Sequence, residues 1–356
     1  MIKRGIALAA AVGLMVAGVG GTAAAVPGGN RIDRQMVQSV LDEMTTTGAQ
    51  GVQVRIVDGH HEFTARAGTA RIDAPDPVPI DGRFRIGSIT KTFVATVVLQ
   101  LVGERRVELD APVSRYLPGL LPHGGPITVR HLLGHTSGLP DHTFELPDDA
   151  GFRSFTPAEL VALIADKPLE FQPGTASGYS NTNYVVAGML IERVTGRSYA
   201  DAITHRVLRP LGLRGTSLPG TRVEIPGPHA RAYLRFEDEV FDVTEHDPSF
   251  IGAAGEMIST TADLNRFVDA LLDGRLLRPA QLREMMTTVD GRGLGLVTYE
   301  VSCGTRVWGH NGRVTGYSST VVSSEDTRTR MTFAVSWAWD FGPVPGREAL
   351  LEAVYC

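Results

Sequence analysis

The sequence predicts an α+β fold: an antiparallel sheet built from both ends of the chain, flanked by helices, around a mostly helical insertion. Three observations carry this. Alternating apolar segments near residue 50 and after residue 295 read as strands, and between them the patterning is helical. Only one short strand-turn-strand signal precedes the helical stretch, so the early strands need partners from the far end of the chain.

Taken in order, Arg34 to Met44 is patterned as an amphipathic helix. Gly51 to Val57 reads as a strand, Asp58-Gly59 as a turn and Glu62 to Gly68 as the returning strand. Asp73 to Asp81 is rich in Pro and Asp and reads as a loop. From Thr92 to Val102 nearly every residue is apolar, which suits a central buried helix. Turn residues dominate 110–145. Thr156 to Ala165 reads as a helix capped by Thr156 with Pro157 at its first position. Further helices are expected at Tyr184 to Val194, Tyr199 to Arg209, Thr261 to Leu272 and Pro279 to Met286. Gly295 to Val301, Thr305 to Trp308, Ser318 to Ser323 and Arg330 to Trp337 read as strands, and Gly346 to Tyr355 as a closing helix. The sheet-forming part is thus expected at about 31–90 and 287–356, with the insertion at about 91–286.

Residues 1–25 stand outside this plan. Lys3 and Arg4 precede an apolar run from Ile6 to Val19, and Ala23-Ala24-Ala25 supplies small residues before Val26. That is the pattern of a secretory signal peptide, and the run is short for a membrane span. An uncleaved anchor is the alternative reading. Export places Cys303 and Cys356, the two cysteines, in an oxidising compartment, where they are expected to form one disulfide. Chain-entropy arguments give such a bridge roughly 4 kcal/mol. With 21% charged residues and a formal charge of −5, neither nucleic acid nor an anionic membrane is indicated as a partner.

The chain holds 34 Lys and Arg residues, yet only three are lysine: Lys3, Lys91 and Lys167. Arg does not lose its proton in a protein, whereas Lys can be tuned to do so. Lys91 stands three residues after Ser88, at the head of the apolar helix. On a helix such residues share a face, so hydroxyl and amine can meet. A buried amine loses proton affinity and can take the hydroxyl proton. Tyr179-Ser180-Asn181 lies in a loop before another apolar helix; a phenol can shuttle protons and an amide can orient a carbonyl or an amine. Trp308-Gly309-His310-Asn311-Gly312-Arg313 lies on or beside a strand, where glycine lets another backbone approach.

Ser-x-x-Lys, Tyr-x-Asn and His-x-Gly, in that order, resemble the motif set of penicillin-recognising serine enzymes. The variant with His in the third element looks most like secreted serine-type D-alanyl-D-alanine carboxypeptidases. Class C β-lactamases and related esterases share the first two elements. The resemblance extends through His131 to Pro140, Phe171 to Gly174, Ala254 to Phe267 and Cys303. It implies a β-lactamase/transpeptidase-like fold over 26–356 and a Ser88 acyl-enzyme. It also implies proton transfer by Lys91 and Tyr179, substrate contact by Asn181, and His310 across the cleft. The oxyanion hole would be formed by the backbone N–H groups of Ser88 and Arg313. The expected ligands are a peptidoglycan-type peptide or a β-lactam, bound by a monomer without cofactor.

Two positions depart from the family pattern. Asn311 and Arg313 stand where hydroxyl residues are usual, and Arg313 is a candidate for binding a substrate carboxylate. Within enzymes the alternative is a β-lactamase or esterase; outside them it is a non-catalytic penicillin-binding sensor. His131 and His135 have metal-like spacing, but no third ligand accompanies them and no metal is expected. No G-x-S-x-G occurs, which argues against an α/β-hydrolase.

Overall fold

The computed structural model describes residues 32–121, 126–236, 239–337, 344 and 346–356. The expected signal peptide lies outside these residues. Helix α1 (Arg34–Thr46) leads into β1 (Ala49–Asp58), β2 (His61–Arg71) and the short β3 (Ala74–Pro77). The chain then makes its long excursion. It includes α2 (Thr90–Gly103), α3 (Thr182–Thr195) and α4 (Thr261–Leu272), and returns as β4 (Val297–Glu300), β5 (Arg306–Val314), β6 (Tyr317–Ser324) and β7 (Thr329–Trp337) before α5 (Arg347–Tyr355).

The seven strands form one sheet in the order β3-β2-β1-β7-β6-β5-β4. Its centre is the antiparallel pair β1–β7, with Val54 opposite Phe333. The two ends of the chain are therefore joined by backbone hydrogen bonds, as the strand distribution predicts. Val52, Val54, Ile56, Met331, Phe333 and Val335 share one core with α1 and α5. The intervening residues of β1 face the opposite layer. There Asn265 of α4 donates to the Arg55 carbonyl and accepts from the Thr332 hydroxyl at 2.7 Å. Both sheet faces are covered, which explains why the alternation in Gly51 to Val57 is loose.

Several expectations are corrected. Asp73 to Asp81 is not wholly loop, since β3 pairs onto β2 within it. The excursion is not wholly helical either; Tyr233–Phe236 and Glu239–Asp242 pair as a hairpin, and Phe84–Arg85 pairs with Ile258–Ser259. The helix after Thr156 ends at Ala162, although Thr156 and Glu159 form a full capping box. The segment expected to be helical from Tyr199 to Arg209 shifts to a π-helical turn over Thr204–Leu208. Ser88 does not stand on α2 itself. It occupies a 3-10 turn, Gly87–Ile89, and the α-helix starts at Thr90.

Helix α2 is the axis of the larger core. Eleven of its 14 residues are buried, Lys91 among them. An apolar surface on all sides is stable only where other elements surround it, and α3, α4 and the sheet do so here. Cys303 and Cys356 are joined by a disulfide, tying the β4–β5 turn to the end of α5.

Candidate active site

The turn at Ser88 is shaped by close backbone contact. Gly87 has φ +50°, and a Cβ there would lie 2.6 Å from the Arg313 nitrogen. A Cβ on Gly312 would lie 1.8 Å from the Ile86 carbonyl oxygen. Strand β5 and the serine turn therefore touch backbone to backbone, and neither glycine can be replaced without moving main chain. Gly312→Ala is expected to destabilise the protein by about 3 kcal/mol through overpacking, read as a lower urea midpoint at unchanged slope.

Lys91 has no solvent exposure. Its Nζ donates to Asn181 Oδ1 at 2.8 Å and to the Ala254 carbonyl at 2.8 Å, and lies 3.0 Å from Ser88 Oγ. Burial lowers its pKa from 10.5 to about 7, with Asp141 opposing the shift. The partner set orients the amine. A neutral amine keeps two N–H groups and one lone pair, and the Asn181 and Ala254 oxygens can only accept. Both N–H groups are taken by those oxygens, so the lone pair is left for the one partner that can donate, the Ser88 hydroxyl.

Tyr179 Oη donates to Ser88 Oγ at 2.7 Å from the other side. Tyr179 is 39% exposed, so it opens onto the cleft. The protein packed around it nonetheless raises its phenol above the usual range, with the Ser88 hydrogen bond acting against that. At neutral pH Tyr179 is thus a donor, and Lys91 is the group poised to accept a proton.

Asn181 occupies the N-cap position of α3, yet its side chain makes no cap bond. It turns to Lys91 instead, and its Nδ2 donates to Asp141 Oδ2 at 2.8 Å. Asp141 Oδ2 also accepts the Asn181 backbone N–H at 3.1 Å. The amide is thereby held with its oxygen toward the lysine. A residue type that usually caps helices is diverted to the site.

His135, at φ +56°, stacks on the Tyr179 ring with centroids 4.3 Å apart. Its Nδ1 accepts the Ser180 backbone N–H at 3.2 Å. Burial holds its pKa well below the usual value, so it is neutral and serves to seat the Tyr179 loop. Thr182 Oγ1 donates to the Pro140 carbonyl, and Ser137 Oγ donates to Asn183 Oδ1. The 135–141 segment is therefore a strap that fixes Tyr179, Ser180 and Asn181 from below. His131 closes a capping box with Thr128, and no group of three or more metal-binding side chains occurs among the described residues.

His310 is buried in β5, and its Nδ1 lies against the Asn311 carbonyl. Burial first, then the charges of Lys91 and Arg292, bring its pKa down to about 4, so the ring is neutral at pH 7. Asn311 and Arg313 alternate with it on the exposed side of the strand. Asn311 Oδ1 accepts from Tyr299 Oη at 2.8 Å.

Ser88, Lys91, Tyr179 and Asn181 thus form one bonded cluster, with His310 in the strand whose neighbouring residues pack on the serine turn. The sequence did not signal the roles of Asp141, His135 or the Ala254 carbonyl. Asp141 directly follows the His131 to Pro140 stretch and Ala254 opens another family-like stretch, but neither had a role to suggest it.

A serine bonded to a buried lysine and a tyrosine, between a helix start and a sheet edge, defines a serine hydrolase of the β-lactamase/transpeptidase fold. Residues 34–351 match the Beta-lactamase family, and the chain belongs to that family. Among its relatives is Penicillin-binding protein 4* of Bacillus subtilis, 28% identical over 77% of this chain and 64% of that protein. The D-alanyl-D-alanine-carboxypeptidase/endopeptidase AmpH of Escherichia coli K12 is 25% identical over 68% and 63%. The chain spans about half to two-thirds of the length of the curated relatives it matches. The solved structure of a D-stereospecific amidohydrolase from Streptomyces sp. superposes with a TM-score of 0.84 at 39% identity, covering 91% of this chain and 99% of that one.

Proposed function

We propose that this chain is a serine D-alanyl-D-alanine carboxypeptidase, exported from the cell, that releases a terminal D-alanine through an acyl-enzyme on Ser88. The observation that carries the reading is Ser88 Oγ held between Lys91 Nζ and Tyr179 Oη. Lys91 takes the Ser88 proton as Oγ attacks the substrate carbonyl. The backbone N–H groups of Ser88 and Arg313 receive the developing oxyanion; such a donor is worth on the order of 3 kcal/mol. Tyr179, protonated and beside Ser88 Oγ, passes a proton to the departing amine and is reprotonated through Lys91. Water then repeats the sequence on the ester. Asn181 holds Lys91 and contacts the substrate amide. His310 stays neutral and lets the lysine remain the proton acceptor.

The relationship to AmpH and to a penicillin-binding protein supports this substrate class. A second reading, an amidase acting on D-residues, is favoured by the likeness to the Streptomyces amidohydrolase over almost its whole length. Export rests on the N-terminal pattern. Among the described residues no helix is long and apolar enough to cross a membrane.

The test is a mass-spectrometric time course with benzylpenicillin, run beside D-alanine release from a D-alanyl-D-alanine peptide. A long-lived adduct on Ser88 together with D-alanine release is expected. Rapid loss of the adduct with antibiotic turnover marks a β-lactamase. Hydrolysis of D-amino acid amides without peptide cleavage marks the amidase. Full activity in Ser88→Ala removes the reading.

A further inference from the structure

We infer that Glu256 is a positioning residue for Lys91: its buried carboxyl group holds the turn that aims the Ala254 carbonyl at the lysine. The inference rests on the Ser88 acyl-transfer reading above, in which Lys91 is the base.

Glu256 is 1% exposed. Tyr199 Oη donates to one of its oxygens at 2.6 Å, and the Gly220 backbone N–H to the other at 2.9 Å. A carboxyl group buried in an apolar core is costly without such partners. Its partners lie 57 and 36 residues away, so the side chain ties three parts of the chain together. The other charged groups that act on it are Asp247 and Arg222. Burial brings its pKa up to about 7, and either protonation state can keep both contacts. When neutral, its O–H donates to Tyr199 Oη while the second oxygen still accepts from Gly220.

The strip that contains Glu256 runs beside the serine turn. One residue on, Met257 donates its N–H to Thr90 Oγ1 at 3.2 Å, and its carbonyl accepts the Ile86 N–H at 2.9 Å. Ile258 and Ser259 pair with Arg85 and Phe84. Backbone contact therefore fixes the strip from Met257 onward. Two residues back, the Ala254 carbonyl accepts from Lys91 Nζ at 2.8 Å. Ala254 belongs to a 3-10 turn, and the Gly255 and Glu256 N–H groups both fold back to the Gly252 carbonyl at 2.9 Å. Glu256 is the exit of that turn. Tyr199 closes on the same turn from the other side. A Cβ on Gly188 would lie 2.7 Å from the Ala253 Cβ and 3.4 Å from the Tyr199 ring. One on Gly252 would lie 3.7 Å from the Tyr199 hydroxyl. Glu256 and Tyr199 thus clamp the turn against α3, the helix at whose head Asn181 stands. Both oxygens that accept from Lys91 are referred to one helix.

The scarcity of lysine makes the hold measurable. Beyond the N-terminal Lys3, the chain has only Lys91 and Lys167, and Lys167 pairs with Glu145. Protein labelled with 13C at lysine Cε therefore lets Lys91 be titrated by NMR without substrate. The parent midpoint is expected at about pH 7. Glu256→Ala is expected to lower it to about pH 6, because an acceptor that favours the ammonium is loosened. It should also lower kcat about tenfold with KM within about twofold of the parent. Tyr199→Phe, which removes one of the two bonds, should fall between. Glu256→Gln, whose amide can donate to Tyr199 and accept from Gly220, should recover most of both changes. None of these variants alters the titratable groups that face Lys91, namely Asp141, Tyr179, Tyr184, His135 and His310. An unmoved Lys91 midpoint in Glu256→Ala overturns the assignment, as does a lowered midpoint with kcat unchanged. An equal fall in Glu256→Gln also overturns it, since the charge and not the hold would then be responsible. Should Glu256→Ala fail to fold, Tyr199→Phe decides by the same criteria. Activity that persists in Ser88→Ala fails the acyl-enzyme reading, while the titration still tests the hold on Lys91.

Discussion

Lys91→Met is expected to lower kcat/KM by roughly 10³-fold or more, because the base and its hydrogen bond to the nucleophile vanish together. The parent enzyme should show the matching pH signature. Lys91 titrates near pH 7, and only the neutral amine can accept the Ser88 proton. Log kcat/KM should therefore rise with unit slope up to about pH 7 and level off above it. A flat profile from pH 5 to 9 would remove Lys91 as the base. A stability effect accompanies the kinetic one. The folded pKa of Lys91 is depressed from 10.5, so the unfolded chain binds the extra proton between the two values. The penalty for burying this amine is full below pH 7 and fades as pH rises toward 10.5. Relative to Lys91→Met, the parent should gain about 2 kcal/mol between pH 7 and 9, measured by urea unfolding.

Asp141→Leu is expected to lower kcat/KM by about 10²-fold without any direct contact to Ser88. Asp141 is buried, and its Oδ2 takes both the backbone and side-chain N–H of Asn181. Without it nothing holds the Asn181 oxygen toward Lys91, and the lone-pair orientation is lost. The sign of the accompanying pH change is distinctive. Asp141 raises the Lys91 pKa, so its removal should move the acid limb to lower pH even as the plateau falls. Kinetics from pH 4.5 to 8.5 read both changes, and an acid limb that moves upward contradicts the role. Asp141→Asn, which can still accept one bond, should recover part of the plateau.

These two residues differ in how far they could be read from sequence. Lys91 was legible because its relation to Ser88 is local, three residues apart at the head of a segment whose apolar content fixes it as a buried helix. Scarcity of lysine added a second signal. The strands were legible for the same reason, since a period of two is written along a few residues, and their placement at both chain ends required the sheet to close between them. The short strand at Ala74–Pro77 was hidden by its Pro and Asp content, which suits an edge and reads as a loop.

Asp141 was not legible. It lies 40 residues from Asn181, and the Ala254 carbonyl lies 163 from Lys91. Nothing periodic connects such pairs, and a carbonyl has no residue identity to notice. His135 carried a metal-like spacing that concealed its use as a platform for Tyr179. Asn181 was a turn-forming residue in a turn, and only the position of Asp141 shows why it does not cap its helix. Residue chemistry and local period thus settle which groups exist and which helices and strands carry them. Which groups meet and how the lysine is held follow from sheet closure and backbone contact, because those distances are set by packing between segments that no local pattern relates.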